Sequence, residues 1–197
     1  MDKPADTDLP VHELVKQRWS PRAFADRGVE ERDVELLLEA ARWTPSAMND
    51  QPWRLIVARR EQPEAFERLA ACLDPGNREW AQGAALLIAV VARERFRKND
   101  KPNLHAWHDT GQAIAWLTVQ ATALGLVVHQ MGGFDAAALR RSLGVPEGYA
   151  PVSVVALGHP GAPEQLSEKL AERERAPRTR LDPAELFFSG RWGRARQ

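Results

Sequence analysis

The sequence predicts a mixed helix-and-strand protein, α+β or α/β, built on a sheet of at least four strands. Three observations predict it. Short apolar segments at 54–59, 84–92, 126–131 and 151–157 have the length and composition of strands. Segments with apolar residues at helical spacing precede and separate them. One strand, AALLIAVVA from Ala84 to Ala92, is apolar without interruption, as a strand buried on both faces must be.

In order along the chain, Val11, Leu14 and Val15 fall at helical spacing after Pro10, which predicts a short helix to Arg18. Ser20-Pro21 breaks it, because proline pushes the preceding residue out of the helical region. Val34, Leu37, Leu38 and Ala41 make the apolar stripe of a second helix, from Glu31 to Trp43. PSAMNDQPW has turn composition, and RLIVAR from Arg54 reads as a strand. A helix with proline in its first turn is expected over 63–73. After the apolar strand, RERFRKNDKPNL at 93–104 reads as a polar loop.

A long helix is expected over 106–124, ended by Gly125. From Ala113 onward it carries almost no polar face, so it belongs in a core or between subunits. Leu126 to Met131 reads as a strand. Asp135 is placed to cap a helix that runs to Leu143 and stops at Gly144. PVSVVAL from Pro151 is another strand, a polar helix follows over 163–175, and the residues from about 177 read as an extended arm.

Composition narrows the function classes. With 44% hydrophobic and 27% charged residues the chain reads as globular. Lys+Arg and Asp+Glu both total 27, so nothing global recommends a nucleic acid or an anionic membrane as partner. The apolar run at 84–92 falls far short of the roughly 20 residues that span a bilayer, and MDKPADTDLP lacks the apolar core of a signal peptide, so a cytoplasmic location is expected. Cys72 stands alone, which leaves no internal disulfide and no cysteine-based metal site. There is no G-x-G-x-x-G, no G-x-x-x-x-G-K-[ST], no G-x-S-x-G and no H-E-x-x-H. His105 and His108 stand at i, i+3 but lack a third ligand in any metal motif, and no metal is expected. His129, inside an apolar strand, is expected to be a hydrogen-bonded core histidine.

Three clusters carry the remaining chemistry. Arg18, Ser20 and Arg22 alternate in an extended segment and so share a side, where two guanidiniums and a hydroxyl suit a phosphate. Pro45 to Trp53 is a proline-framed loop with polar side chains. Arg178 and Arg180 repeat the i, i+2 basic pattern in the tail. Read singly, each is equally a solvated turn, a connection or a charged tail.

Taken together they carry a resemblance. R-x-S-x-R at 18–22, a charged amphipathic helix, then P-S-x-x-N-x-Q-P-W leading into a strand resembles the nitroreductase family of flavoenzymes. Asn77 before the buried strand, G-G-F-D from Gly132, and RTRLDPAELFFSGRW from Arg178 continue the likeness along nearly the whole chain. The resemblance implies one α+β domain over 1–197 with a C-terminal arm over 177–197. It implies a central, mostly antiparallel sheet flanked by helices, and a domain-sharing homodimer with two FMN sites at its interface. Carried over position by position, Arg18, Ser20 and Arg22 would hold the phosphate and ribityl chain, and Arg180 with Arg178 would close on the phosphate. Pro45, Ser46, Ala47, Met48 and Asn49 would line the isoalloxazine from the partner subunit. Asn77 would reach the pyrimidine edge or the ribityl chain, and Gly132 and Gly133 would allow close backbone approach to the ring.

The activity implied is hydride transfer from NADH or NADPH through FMN to a nitroaromatic, quinone or similar conjugated small-molecule acceptor, in a ping-pong cycle with no catalytic side chain. Two features depart from some members: Arg22 replaces a lysine, and the 93–104 loop is short where many carry a longer substrate lid. Trp80, Phe96 and Trp107 are candidates for either the substrate wall or ordinary packing. A flavin-dependent dehydrogenase, a dehalogenase, a flavin-destroying relative and a non-catalytic FMN-binding protein are the neighbouring readings. A nucleic-acid binder using Arg191, Arg194 and Arg196 is the distant one.

Overall fold

The computed structural model describes residues 1–196. Four strands, β1 (Trp53–Arg59), β2 (Leu86–Arg93), β3 (Val127–Met131) and β4 (Tyr149–Gly158), form one sheet in the order β1-β2-β4-β3. Every pairing is antiparallel. The fold is therefore α+β, with the helices α1 (Glu13–Gln17), α2 (Glu31–Arg42), α3 (Pro63–Ala70), α4 (Pro75–Ala81), α5 (Ala106–Ala123), α6 (Ala136–Leu143), α7 (Glu168–Arg175) and α8 (Pro183–Leu186) disposed around it.

The uninterrupted apolar run explains the layering. Side chains alternate across a strand, so β2 must meet a core on each side. Leu87, Ala89 and Val91 pack with Phe66 and Leu69 of α3, Trp80 of α4 and Leu139 of α6. Leu86, Ile88 and Val90 pack with Val34 and Leu37 of α2 and with Ala113, Ile114 and Leu117 of α5. β4 repeats the alternation, with Val154 and Ala156 on the first side and Val155 and Leu157 on the second. Each fully buried aliphatic side chain of this kind contributes about 1.5–3 kcal/mol. Antiparallel register aligns Ile88 with Val155 and Leu86 with Leu157, so both central strands bury the same faces.

Several elements differ from the sequence reading. α1 begins only at Glu13, because the His12 side chain accepts the Leu14 N–H and caps it there. α4 lies where the sequence reading places no element, and Pro75 occupies its first turn, where no N–H is needed. The polar helix expected over 163–175 is two pieces, a 3-10 turn at Pro163–Gln165 and then α7. Leu166 between them is extended and packs against the core, which turns the chain. The tail is not wholly extended, since Asp182 caps the single helical turn of α8. α5 buries one face against α2 and the sheet, while Trp116 and Val119 on the other are 52% and 41% exposed.

Candidate functional site

The segment after α1 is fixed from below by α7 and by β3. Pro21 is buried, and His129 Nδ1 of β3 donates to its carbonyl at 2.9 Å. The N–H groups of Arg22 and Ala23 both donate to the carboxylate of Glu174, at 2.8 and 3.0 Å to the same Oε1. Held this way, the extended segment presents Arg18, whose Nη1 donates to Ser20 Oγ at 3.3 Å, as expected for residues that share a side. Arg22 lies with its guanidinium over the Trp80 ring, 5.9 Å from the centroid, and 3.9 Å from Glu174 Oε2.

The two chain ends meet here. Lys3 Nζ donates to the carbonyls of Glu174 and Ala176 at 2.7 and 2.5 Å. In return, Arg178 Nη1 donates to the carbonyls of Lys3 and Lys16, each at 2.8 Å. Burial, and then the neighbouring Arg178 and Arg180, lower the Arg18 guanidinium below its ordinary value. Burial likewise lowers Lys3, with Arg178 and Arg22 adding repulsion against the attraction of Glu174. Arg18, Arg22, Arg178, Arg180 and Lys3 therefore crowd one region whose single buried acid is already engaged by backbone donors. Such a concentration of forked cationic donors is the chemistry of a phosphate site. Beside it, a cavity of about 340 Å³ opens between Arg18, Trp19, Thr122, Gly125 and Val127.

Trp80 links this region to the next pair of expected residues. It is 4% exposed and packs under Arg22 and against the His129 ring, whose centroid is 4.5 Å away. Asn77 lies one turn earlier on the same face of α4. Its Nδ2 donates to the Gly133 carbonyl at 2.9 Å, and the Asp74 N–H donates to the same oxygen at 3.1 Å. A Cβ on Gly133 would stand 2.7 Å from both Asn77 Nδ2 and Asp74 Oδ2, so a larger residue there would push these two side chains aside. A Cβ on Gly132 would meet nothing within 4 Å, which leaves that backbone open to a ligand. Trp80 is thus core packing and not a substrate wall.

The loop from Pro45 to Asn49 does not join this cluster. The Ala47 N–H donates to Asp109 Oδ2 at 2.9 Å, near the start of α5. Arg18 shares its cavity with Thr122, in the last turn of α5. From Asp109 to Thr122 the helix axis rises about 20 Å. Within one chain the two groups of expected residues lie at opposite ends of a helix.

The loop is also strained. Met48, Asn49 and Gln51 have φ of 56°, 54° and 51°, a region that non-glycine residues occupy at a cost. Its polar groups hold the loop instead of all facing outward. Ser46 Oγ accepts from the Gln51 N–H at 3.0 Å, and Gln51 Nε2 donates to the Asn49 carbonyl and Oδ1. Met48 projects, 67% exposed. Asp50, 6% exposed, accepts from the Arg97 N–H at 2.7 Å and from Arg93 and Asn103, which ties the loop to the 93–104 segment. A second cavity, of about 620 Å³, lies there between Arg95, Leu104 and Trp107.

Lys3, Glu174, Asp50 and Asp109 escape a reading of the sequence. A lone acid at the start of an otherwise apolar helix was the one available signal, and it points to Asp109. No helix of the described residues is long and apolar enough to cross a membrane.

An antiparallel sheet covered on both faces, a basic cradle at the two chain ends and a strained proline-framed loop define an α+β protein with a candidate anion site. The chain belongs to the nitroreductase family, whose model matches residues 15–159. It is similar in structure to an oxidoreductase containing FMN, with a TM-score of 0.89 and 34% identity over 95% of each chain. A 15.4 kDa protein of Mycolicibacterium smegmatis is 41% identical over 71% of this chain and 97% of that protein. A protein of Leptothrix cholodnii, provisionally named NADH dehydrogenase/NAD(P)H nitroreductase, is 32% identical over 89% of this chain and 94% of that protein.

Proposed function

We propose that this chain is an FMN-dependent oxidoreductase that takes hydride from NADH or NADPH and passes it to a nitroaromatic, a quinone or a similar conjugated acceptor. The observation that carries the reading is the convergence of Lys3, Arg18, Arg22, Arg178 and Arg180 on one region with a single, engaged acid. That donor set fits a phosphate dianion, whose charge offsets the repulsion among the cations. Its relatives' names support the rest, since one contains FMN and another is provisionally an NAD(P)H nitroreductase.

On this reading Arg18 and Arg180 hold the phosphate, with Ser20 and Arg22 beside the ribityl chain. Arg178 has a different share from the one its sequence position suggests. Its Nη1 is engaged by two carbonyls, so it fastens the arm more than it grips the ligand. Asn77 and the open backbone at Gly132 serve the ring. Pro45 to Asn49, about 20 Å from the cradle along α5, serve the site of a second copy. The exposed Trp116 and Val119 face of α5 supplies an apolar surface for that copy. When bound, FMN supplies the two-electron hydride acceptor and donor, which explains why the chain needs no base of its own. The protein's part is to anchor the phosphate, seat the ring and shape the acceptor side beside Trp107.

The test is an anaerobic absorption spectrum of the full chain before and after adding NADPH or NADH. The purified protein is expected to show flavin bands that bleach on addition, and Arg18→Ala with Arg180→Ala is expected to weaken FMN retention at least about tenfold, the loss of one or two charge-assisted hydrogen bonds. A colourless protein that takes up no added FMN sinks the proposal. Bound flavin that neither nicotinamide reduces would make the chain an FMN-binding protein without turnover.

A further inference from the structure

Glu174 is 1% exposed, and no motif includes it. It lies on the polar helix α7, where five of its seven fellow residues are charged or exposed enough to suggest a solvated face. Its side chain instead turns inward across 152 positions of sequence to receive the N–H groups of Arg22 and Ala23. Its backbone carbonyl receives Lys3. A buried carboxylate this close to several cations invites description as an ion-pair partner. The distances say otherwise: the Arg22 guanidinium stands at 3.9 Å, whereas the two backbone donors stand at 2.8 and 3.0 Å. What Glu174 fixes is main chain.

Resting on the functional reading above, we propose that Glu174 is a positioning residue of the phosphate cradle, setting the path of the Arg18–Arg22 segment through hydrogen bonds to its backbone. The segment has few other ways to hold its shape. Pro21 has no N–H to give, and its carbonyl is taken by His129. The Arg22 and Ala23 N–H groups are the donors that can pin the chain immediately after the proline; both reach Oε1, and the Arg22 N–H is shared with Oε2 at 3.0 Å. Arg18 is tied to α1 by its own N–H on the Leu14 carbonyl, so Glu174 sets the path of the segment from its far end.

The experiment compares the affinity of the full chain for FMN and for riboflavin, which lacks the phosphate, by flavin fluorescence titration. The wild type is expected to prefer FMN at least about tenfold, the contribution of the phosphate contacts. Glu174→Gln keeps an acceptor at Oε1 but sets an NH2 where Oε2 receives the Arg22 N–H, and is expected to lower that preference less than the leucine variant does. Glu174→Leu offers no acceptor and is expected to lower the FMN-to-riboflavin ratio about tenfold or more, the size of one lost buried hydrogen bond, while riboflavin affinity moves little. Should the leucine variant fail to fold, Glu174→Asp, drawn back by one methylene, is expected to lower the ratio about threefold or more with the fold intact. A folded leucine or aspartate variant with an unchanged ratio overturns the proposal, as does an equal loss for both flavins. A wild type that binds no flavin overturns the functional reading and this inference with it.

Discussion

His129 shows how a single side chain sets a solution property. Burial pushes its imidazole down to about 4 from 6.5, against the opposing hydrogen bond to the Pro21 carbonyl. The folded chain then resists a proton that the unfolded chain accepts below pH 6.5. This histidine's contribution is therefore intact above pH 6.5 and is lost as the pH falls toward 4, to a limit of about 3 kcal/mol. His129→Gln, which keeps a donor but cannot titrate, is expected to flatten that part of the stability profile in urea melts at several pH values. An unchanged slope between pH 6.5 and 4 would refute the assignment. That His129 is hydrogen-bonded was legible from its apolar strand; it is half-buried beside Trp80 and stands outside both apolar cores. That Arg18 and Ser20 share a side was legible from their alternation, whereas the meeting of Asn77 with Gly133 depends on the fold. Glu174 and Lys3 were not. A charged residue in a polar stretch looks solvated until a partner 152 or more positions away is known.

Among the elements, α6 was readable to the residue. Asp135 accepts the Ala138 N–H at 2.9 Å, and Gly144 closes the helix at φ 65°. A Cβ at Gly144 would touch nothing within 4 Å, so Gly144→Ala charges the fold only for the left-handed backbone, about 1 kcal/mol. Asp135→Ala removes the cap at a similar cost of about 1 kcal/mol. Urea unfolding of each variant checks both values, and no loss in either would show that α6 is held by packing alone. α4 was not readable, because it is short and opens on Pro-Gly, and its reason for being helical is the buried Trp80 and Ala81. The break at Leu166 has the same cause: a tertiary contact outweighs a polar pattern that would run on as helix. From Ala113 onward α5 reads as nearly apolar all round. What composition leaves open is which face meets the sheet and which stays about half exposed.

At the scale of the molecule, that bare face bears on assembly. Trp116→Glu places a charge on a surface residue that is 52% exposed, so the chain is expected to fold. Under the proposed sharing of sites it is expected to sediment as a monomer and to lose bound flavin, while the wild type sediments as a dimer that keeps it. A monomeric wild type that retains FMN would remove the case for sharing. The interlocked ends have a different consequence, in the timing of synthesis. The sheet and both of its covering layers are nearly complete in sequence by Gly158. Glu174 and Arg178, which seat the N-terminal segment, come afterwards and must close contacts across 152 to 175 positions. Domains fold from their N-terminal parts as they emerge, and distant closures come late. A nascent chain can thus hold a paired sheet while its earliest-made basic residues, Lys3, Arg18 and Arg22, still wait for their frame. The basic cradle is written first and finished last: its frame closes only once Glu174 and Arg178 have been made.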